Sequence, residues 1–419
     1  MDVDKSLKII QANIRRKMSR RKSSSSKNSV FVEDYIKSSL ANSLANSSAN
    51  SSANSLAIAN ANKISKFLKS KLIVDKYTLD NRVAYFNYIR KKLENIKDDD
   101  CLDRKRYSHG EGYTVRDILN LEKKISSNNF GGEIYRTSVK NAVGVFPIAS
   151  KIMNKTDDNL YEVKLMSDIT SDIIRKKISK HFLIMYKSCL CEKKDYSNSR
   201  ASLVSVNEIA NGDINMLINN RDVIFNKELL YNILFQTFIS IGTFHNLIAH
   251  IHSDCHGGNF LWHYNNESGY YHYIFNGKNL YLKACKYNIM IYDYAFSKKI
   301  KKNNVKKIMD DYLLIIPAFL NEDYENDKSL SPDSNVKNEL NEIIGTLMKV
   351  YKTMGAEGSK SSPKKIQKDI FSTIINEVFK KYQLNDMFIT DFDSGKSHNH
   401  KSSKRQRNII NKKPYYINI

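Results

Sequence analysis

Glu228 to Ala249 places Leu230, Leu234, Phe238, Ile241 and Phe244 on one face of a long helix, which runs directly into a polar, His-rich loop. That apolar face requires a core, and the loop at its end is carried by the same core. The segments on either side differ in character. Upstream, Ile134 to Met153 is rich in β-forming residues and predicts strands through YRTSVKN and VGVFPIASKIM. Leu160, Val163, Met166, Ile169 and Ile173 predict a helix over Leu160 to Ser179. Phe182 to Cys191 and Leu203 to Ile209 predict two more strands, and Asn211-Gly212-Asp213 marks a turn. Downstream, Tyr270 to Tyr294 predicts short strands. Lys302 to Phe388 is helical in pattern, with an acidic, Ser-rich loop over Asn321 to Asn335. Strands with one helix followed by a mostly helical portion imply an α+β chain in two parts.

The ends are of another kind. Residues 1 to 70 contain a basic, Ser-rich stretch, Arg15 to Lys27, and an Ala-Asn-Ser tract, Leu40 to Asn62. Neither has the apolar bulk to offset the entropy of ordering, so this region is expected to be disordered. Residues 71 to 118 are expected to form a helical extension, from Val83, Phe86, Ile89 and Leu93 in NRVAYFNYIRKKLENI. Residues 119 to 210 and 211 to 390 form the two parts, and 391 to 419 a basic C-terminal tail. The net charge is +23, from 67 basic and 44 acidic residues. Residues 1 to 29 contribute nine basic and two acidic side chains, and residues 391 to 419 seven and two. About half of the excess charge therefore lies in the ends, where it suits solubility or contact with nucleic acid or an acidic partner. The 45 Asn, together with heavy Lys and Ile usage, have AT-rich codons.

No run approaches the ~18 uncharged apolar residues of a membrane helix, and Met1 to Asn13 lacks a signal-peptide pattern, so no membrane contact or secretion is expected. The five cysteines, Cys101, Cys189, Cys191, Cys255 and Cys285, are odd in number and not framework-spaced; they predict reduced thiols in an intracellular protein.

The chemistry concentrates in His252-Ser-Asp254-Cys-His256-Gly-Gly-Asn259, which contains H-x-D-x-x-x-x-N directly after the long helix. Thirty-four residues after Asn259, IMIYDYAFS puts Asp293 at the end of an apolar strand. An acid such as Asp254 can orient an attacking hydroxyl and accept its proton. Asn259 and Asp293 offer the hard oxygen ligands that Mg²⁺ prefers. Upstream, Lys151 ends the apolar FPIASK and Glu162 follows eleven residues later on the next helix; an ion pair between them would position Lys151 on phosphates. Gly131 and Gly132, in SSNNFGGEIY, stand where a glycine loop would cover those phosphates.

These residues resemble the protein kinase superfamily, and more narrowly the divergent kinase-like proteins of giant DNA viruses. The motifs that carry the resemblance are GGEIY, IASK, YEVKL, KHFLIMY, NEIANGD, HSDCHGGNFLWH and IYDYAFS, spread over residues 119 to 300. The resemblance implies a two-lobed fold, with a small β-rich N-lobe and a larger, mostly helical C-lobe. It implies ATP and Mg²⁺ as cofactors, γ-phosphoryl transfer to a hydroxyl, and a Ser/Thr protein kinase activity. It makes Asp254 the base, Asn259 and Asp293 the metal ligands, and Lys151 and Glu162 the phosphate-positioning pair. Gly131, Gly132 and Glu208 would contact the nucleotide, Glu208 through a hinge at Asn207 to Ala210. A viral protein in the host cytoplasm or virion is the corresponding expectation.

The chain departs from the family in four places. Asp293-Tyr294-Ala295 replaces the usual glycine by alanine, only two loop glycines remain, and the usual catalytic-loop lysine is His256. That last form resembles aminoglycoside and choline phosphotransferases. Pro317-Ala318-Phe319 lacks the Glu of an APE sequence. A pseudokinase scaffold and a small-molecule kinase are therefore alternatives, and nucleic-acid binding is a further one that rests on charge alone. His250, His252, His256 and Cys255 lack the spacing of a zinc site, and His252 is expected to hold the loop by structural hydrogen bonds.

Overall fold

The computed structural model describes residues 77–108, 110–128, 132–142, 148–192, 202–301, 304–322, 330–357, 362–390 and 408–419. The expected disordered region at 1 to 70 lies outside these residues, as do Gly131 and the tail over 391–407. The chain is α+β and divides into two compact units.

The first unit comprises residues 77–155 with Tyr186–Ile209. Its frame is a curled sheet of β1 (Asp103–Tyr107), β2 (Gly110–Val115), β3 (Leu119–Asn128), β4 (Gly132–Val139), β5 (Ile148–Asn154), β6 (Met185–Cys191) and β7 (Ser202–Glu208). The strand order is β1-β2-β3-β4-β5-β7-β6, and the pairs from β1 to β7 are antiparallel. Alternation sets the faces: Tyr135, Thr137 and Val139 of β4 are buried while their neighbours are half-exposed. The central strands β5 and β7 are buried almost throughout. Two register shifts in β3, at Leu121/Lys123 and Lys124/Ser126, bend the hairpin it makes with β4.

The helix of this unit, α1 (Leu79–Lys92), begins where the Thr78 hydroxyl accepts from the Asn81 N–H, and basic residues fill its last turn. Leu79, Arg82, Tyr85, Phe86 and Ile89 form its buried face. Phe86 stacks on Tyr186 at 6.2 Å, and Arg90 donates to the Tyr186 carbonyl. Arg82 reaches Glu208 through two hydrogen bonds, Nε to Oε1 at 2.8 Å and Nη2 to Oε2 at 2.7 Å, with only 3% and 2% of the side chains exposed. Among the described residues of the expected helical extension over 71 to 118, only Leu79–Lys92 is thus helical. Asp103–Tyr107 and Gly110–Val115 are strands of the main sheet, and their cross-strand pairing outweighs a helical reading.

The expectation of five reduced thiols is corrected here. Cys101 and Cys191 form a disulfide across 90 residues, while Cys189, Cys255 and Cys285 are thiols. No spacing rule marks this pair. It forms because the turn after α1 runs beside β6, where Leu190 N–H donates to the Asp98 carbonyl. Burial pushes the Cys189 thiol up to about 12, with the charge of Asp100 adding to it. A thiol titration of the denatured, unreduced protein should count three free cysteines. Cys101→Ser should lower the unfolding free energy by about 2–4 kcal/mol in a denaturant titration. A count of five would rule out the Cys101–Cys191 disulfide.

The second unit comprises Thr156–Met185 and Ala210–Ile419. Helix α2 (Asp157–Ile169) is capped by Thr156 and continues through a π-helical turn, Thr170–Ile174. The strand β8 (Gly212–Asp213) leads to the short helices α3 (Ile214–Ile218) and α4 (Arg221–Ile224) and then to α5 (Lys227–Thr243). Every residue of α5 from Leu230 to Thr243 is buried, so it is the central helix rather than an amphipathic surface one. After a second π turn, Phe244–Ile248, Ala249 adopts φ +58° and ends the helix. The strands β9 (His250–Ile251), β10 (Phe260–Tyr264), β11 (Tyr270–Phe275), β12 (Lys278–Lys283), β13 (Tyr287–Ile291) and β14 (Lys298–Lys299) follow. They are succeeded by α6 (Val305–Phe319), α7 (Ser334–Glu357), α8 (Pro363–Ile374) and α9 (Lys380–Tyr382), and by β15 (Phe388–Thr390) and β16 (Tyr415–Tyr416). The strands form sheets of order β13-β10-β8, β15-β12-β11-β16 and β14-β9.

The basic C-terminal tail expected over 391 to 419 is in part a strand. Tyr415–Tyr416 pairs in parallel with Tyr273 and Ile274, and Ile417 is fully buried. The Asn411 side chain donates to the His272 carbonyl and accepts from the His272 N–H, so local polar pairing holds the segment. Among the described residues, no helix is long and apolar enough to cross a membrane.

Candidate functional site

The loop after α5 lies between two strand ends. β9 leads in and β10 leads out, and β10 pairs antiparallel with β13, Phe260 opposite Ile291. One register step further, Tyr292 N–H donates to the Asn259 carbonyl at 3.0 Å, so Asp293 follows directly on the residue that binds Asn259. Asp293 leaves the strand with φ +64°, an uncommon conformation for a non-glycine residue, and is half-buried.

Within the loop, the Asn259 side chain donates to Asp254 twice, to its carbonyl at 2.8 Å and to carboxylate Oδ2 at 3.1 Å. The amide donors are thereby used. The amide oxygen carries no hydrogen bond among the described residues. Asp254 is 7% exposed. The His256 Nδ1 accepts from the Gly258 N–H, which places the proton of a neutral ring on Nε2, 3.7 Å from Asp254 Oδ2. A β-carbon at Gly257 would fall 1.9 Å from the Asn215 amide oxygen, so that side chain would have to turn away.

The loop is held from beneath by a residue that sequence reasoning missed. Asp311, fully buried on α6, accepts from His252 N–H at 2.7 Å, from Ser253 N–H at 2.8 Å and from His245 Nε2 at 2.8 Å. Ser253 sits at φ +64°, and the bond to its N–H fixes that conformation. His252 makes the structural hydrogen bond expected of it, Nε2 to the Tyr292 carbonyl at 2.9 Å, tying the loop to the strand that ends in Asp293. The signal for Asp311 was an acid inside the apolar run IMDDYLLIIPAF.

Glu162 is fully buried on α2. Tyr294 places it near the loop: burial, then the charges of Tyr292, Glu162 and Asp293, raise that phenol well above its usual value. Tyr294 stacks on Phe244 at 5.2 Å. The neighbouring Tyr161 hydroxyl bonds His250 Nε2, whose ring burial holds below its usual value. The second unit therefore gathers Asp254, Asn259, Asp293 and Glu162.

Lys151, Gly132 and Glu208 belong to the first unit. Lys151 is buried on β5, opposite Ile134 of β4 and Ser205 of β7. Gly132 takes φ +97°, and a β-carbon there would meet the Ile152 carbonyl at 2.2 Å, so only glycine fits the start of β4. Glu208, expected to contact the nucleotide at the hinge, pairs its carboxylate with Arg82.

Among the described residues, no group of three or more His, Cys, Asp or Glu is arranged to hold a metal ion. Asn259 and Asp293 supply two oxygen donors, a set that fits Mg²⁺ completed by phosphate and water rather than a closed protein cage. Compared with known proteins, the chain matches no family model and no curated protein.

Proposed function

We propose that this chain is an ATP- and Mg²⁺-dependent phosphotransferase of two-lobed, protein-kinase-like type that transfers the γ-phosphoryl group to a protein hydroxyl. The observation that carries this reading is the bridge made by Asn259: its side chain binds Asp254 and its carbonyl binds the residue before Asp293. One proton acceptor and two oxygen donors for a hard cation are thereby gathered at one pair of strand ends.

In this mechanism Asp254 accepts a hydrogen bond from the acceptor hydroxyl, orients it, and takes its proton as the new O–P bond forms. His256 Nε2–H faces the same carboxylate and steadies its charge. Asn259 and Asp293 would hold Mg²⁺, which supplies charge neutralisation on the phosphates. Lys151 and Glu162 keep the phosphate-positioning roles that the resemblance assigns them. The proximity of His256 to Asp254 also favours a second reading, a small-molecule kinase.

The test is incubation of purified protein with Mg²⁺ and γ-labelled ATP, alone and with protein and aminoglycoside or choline acceptors. Label transfer is expected. Asp254→Ala should slow it about 10²–10⁴-fold while leaving ATP binding intact. Asp293→Ala should remove Mg²⁺-dependent ATP binding and transfer together. Transfer to small acceptors alone would select the second reading. Neither transfer nor binding by the wild type would leave an interaction module and overturn the enzyme reading.

A further inference from the structure

Between Tyr294 and Met309 the sequence carries six lysines, no arginine and no acidic residue. Lys298 and Lys299 form β14, Lys301 follows it, and Lys306 and Lys307 open α6; all five are exposed. The sixth, Lys302, lies outside the described residues. Among the described residues, none of these five is ion-paired to a carboxylate. Three other surface lysines of the same unit do have acidic partners: Lys227 pairs with Glu339, Lys283 with Glu228 and Lys381 with Glu342.

The position of the ribbon gives this charge a use. β14 pairs antiparallel with β9, Lys298 opposite Ile251 and Lys299 opposite His250, and β9 runs directly into His252-Ser253-Asp254. Phe296, 48% exposed, stands between Asp293 and the lysines and offers an apolar contact. The lysines therefore lie on the strand pair that leads into Asp254.

We propose that the lysine ribbon from Lys298 to Lys307 docks an acidic polypeptide segment flanking the acceptor hydroxyl. The proposal rests on the phosphotransferase reading and names its substrate class. Two observations favour a polypeptide over a nucleic acid. Asp254 is recessed, and a Ser or Thr on a flexible chain can reach it while flanking carboxylates stay on the surface. The ribbon is all lysine, which suits single carboxylates as point charges, whereas bidentate phosphate recognition draws on arginine.

The test uses the full chain without nucleotide and reads fluorescence anisotropy. The probes are a labelled Ser peptide flanked by Glu and Asp, its Lys-flanked counterpart and a labelled single-stranded DNA. The acidic peptide should bind most tightly and weaken as salt is raised. Lys298→Glu with Lys299→Glu should weaken it about tenfold or more. Lys306→Glu with Lys307→Glu, on the helix instead of the strand, should also weaken it. All four positions are exposed, and circular dichroism melts check that the variants fold. Unchanged peptide binding in both variants overturns the proposal, as does tighter binding of the DNA through the same lysines. Acidic-peptide binding that the reversals abolish, without phosphoryl transfer to any acceptor, would keep the docking surface and remove the enzyme. Transfer at equal rates to acidic and basic peptides would do the reverse.

Discussion

Asp311→Ala should cost at least about 3 kcal/mol of stability and disable the loop that carries Asp254. Asp311 is fully buried and serves three donors, His245 Nε2, His252 N–H and Ser253 N–H. Each buried donor left without a partner costs about 1–3 kcal/mol, and alanine cannot replace any of the three bonds. The loss is also conformational. Ser253 is held at φ +64°, and without its partner the residue before Asp254 is free to return to an ordinary backbone region. Asp311→Asn separates the two effects. It keeps one acceptor oxygen but turns an amide toward donors that now share a carboxylate. Urea titration should rank wild type above Asn and Asn above Ala, and phosphoryl transfer should fall in the same order. An alanine variant within about 1 kcal/mol of wild type would show that other contacts hold the loop.

Arg82→Ala should destabilise the first unit by about 3–5 kcal/mol, because it removes two hydrogen bonds from the Glu208 carboxylate, whose side chain is only 2% exposed. The fork of Arg82 binds both carboxylate oxygens at 2.7–2.8 Å, and both side chains are buried. The pair itself is a different quantity. Replacing both partners by apolar residues of similar volume, Arg82→Met with Glu208→Leu, should recover most of the loss, since the desolvation cost of two ions vanishes with them. A double-mutant cycle on the unfolding midpoint measures this. If Arg82→Ala alone proves neutral, the carboxylate has found water or another donor, and the buried ion pair does not anchor α1. The expected result also means that residues from Leu79 onward cannot be trimmed as an extension.

Alternation and period made the element types of much of the chain legible. The Glu228 to Ala249 helix, the strands around FPIASK and SLVSVNE, and the helical stretch after Lys302 follow from side chains that recur every two or every three to four residues. The motif residues were legible because their chemistry is local: Asp254 and Asn259 lie five positions apart in one loop, and a single turn lets the amide reach the acid.

Long-range partners were not legible. Cys101 meets Cys191, Arg82 meets Glu208 and Asp311 meets Ser253 across 90, 126 and 58 residues. The face of α1 illustrates the reason. The period predicted Val83 on the buried side with Phe86, Ile89 and Leu93, yet Arg82 and Tyr85 are buried and Val83 is half-exposed. A charged residue enters a buried face only when a partner elsewhere satisfies it, and that partner has no fixed spacing in sequence. The same holds for β1, β2 and β16, which are short and polar, and become strands because neighbours supply their hydrogen bonds. By itself the sequence determined the α+β class, the main elements and the loop where the candidate chemistry lies. Which buried charges are paired, which cysteines are bonded and what holds the loop in place were decided only by tertiary structure. Those contacts depend on which distant segments the packing brings within hydrogen-bond reach.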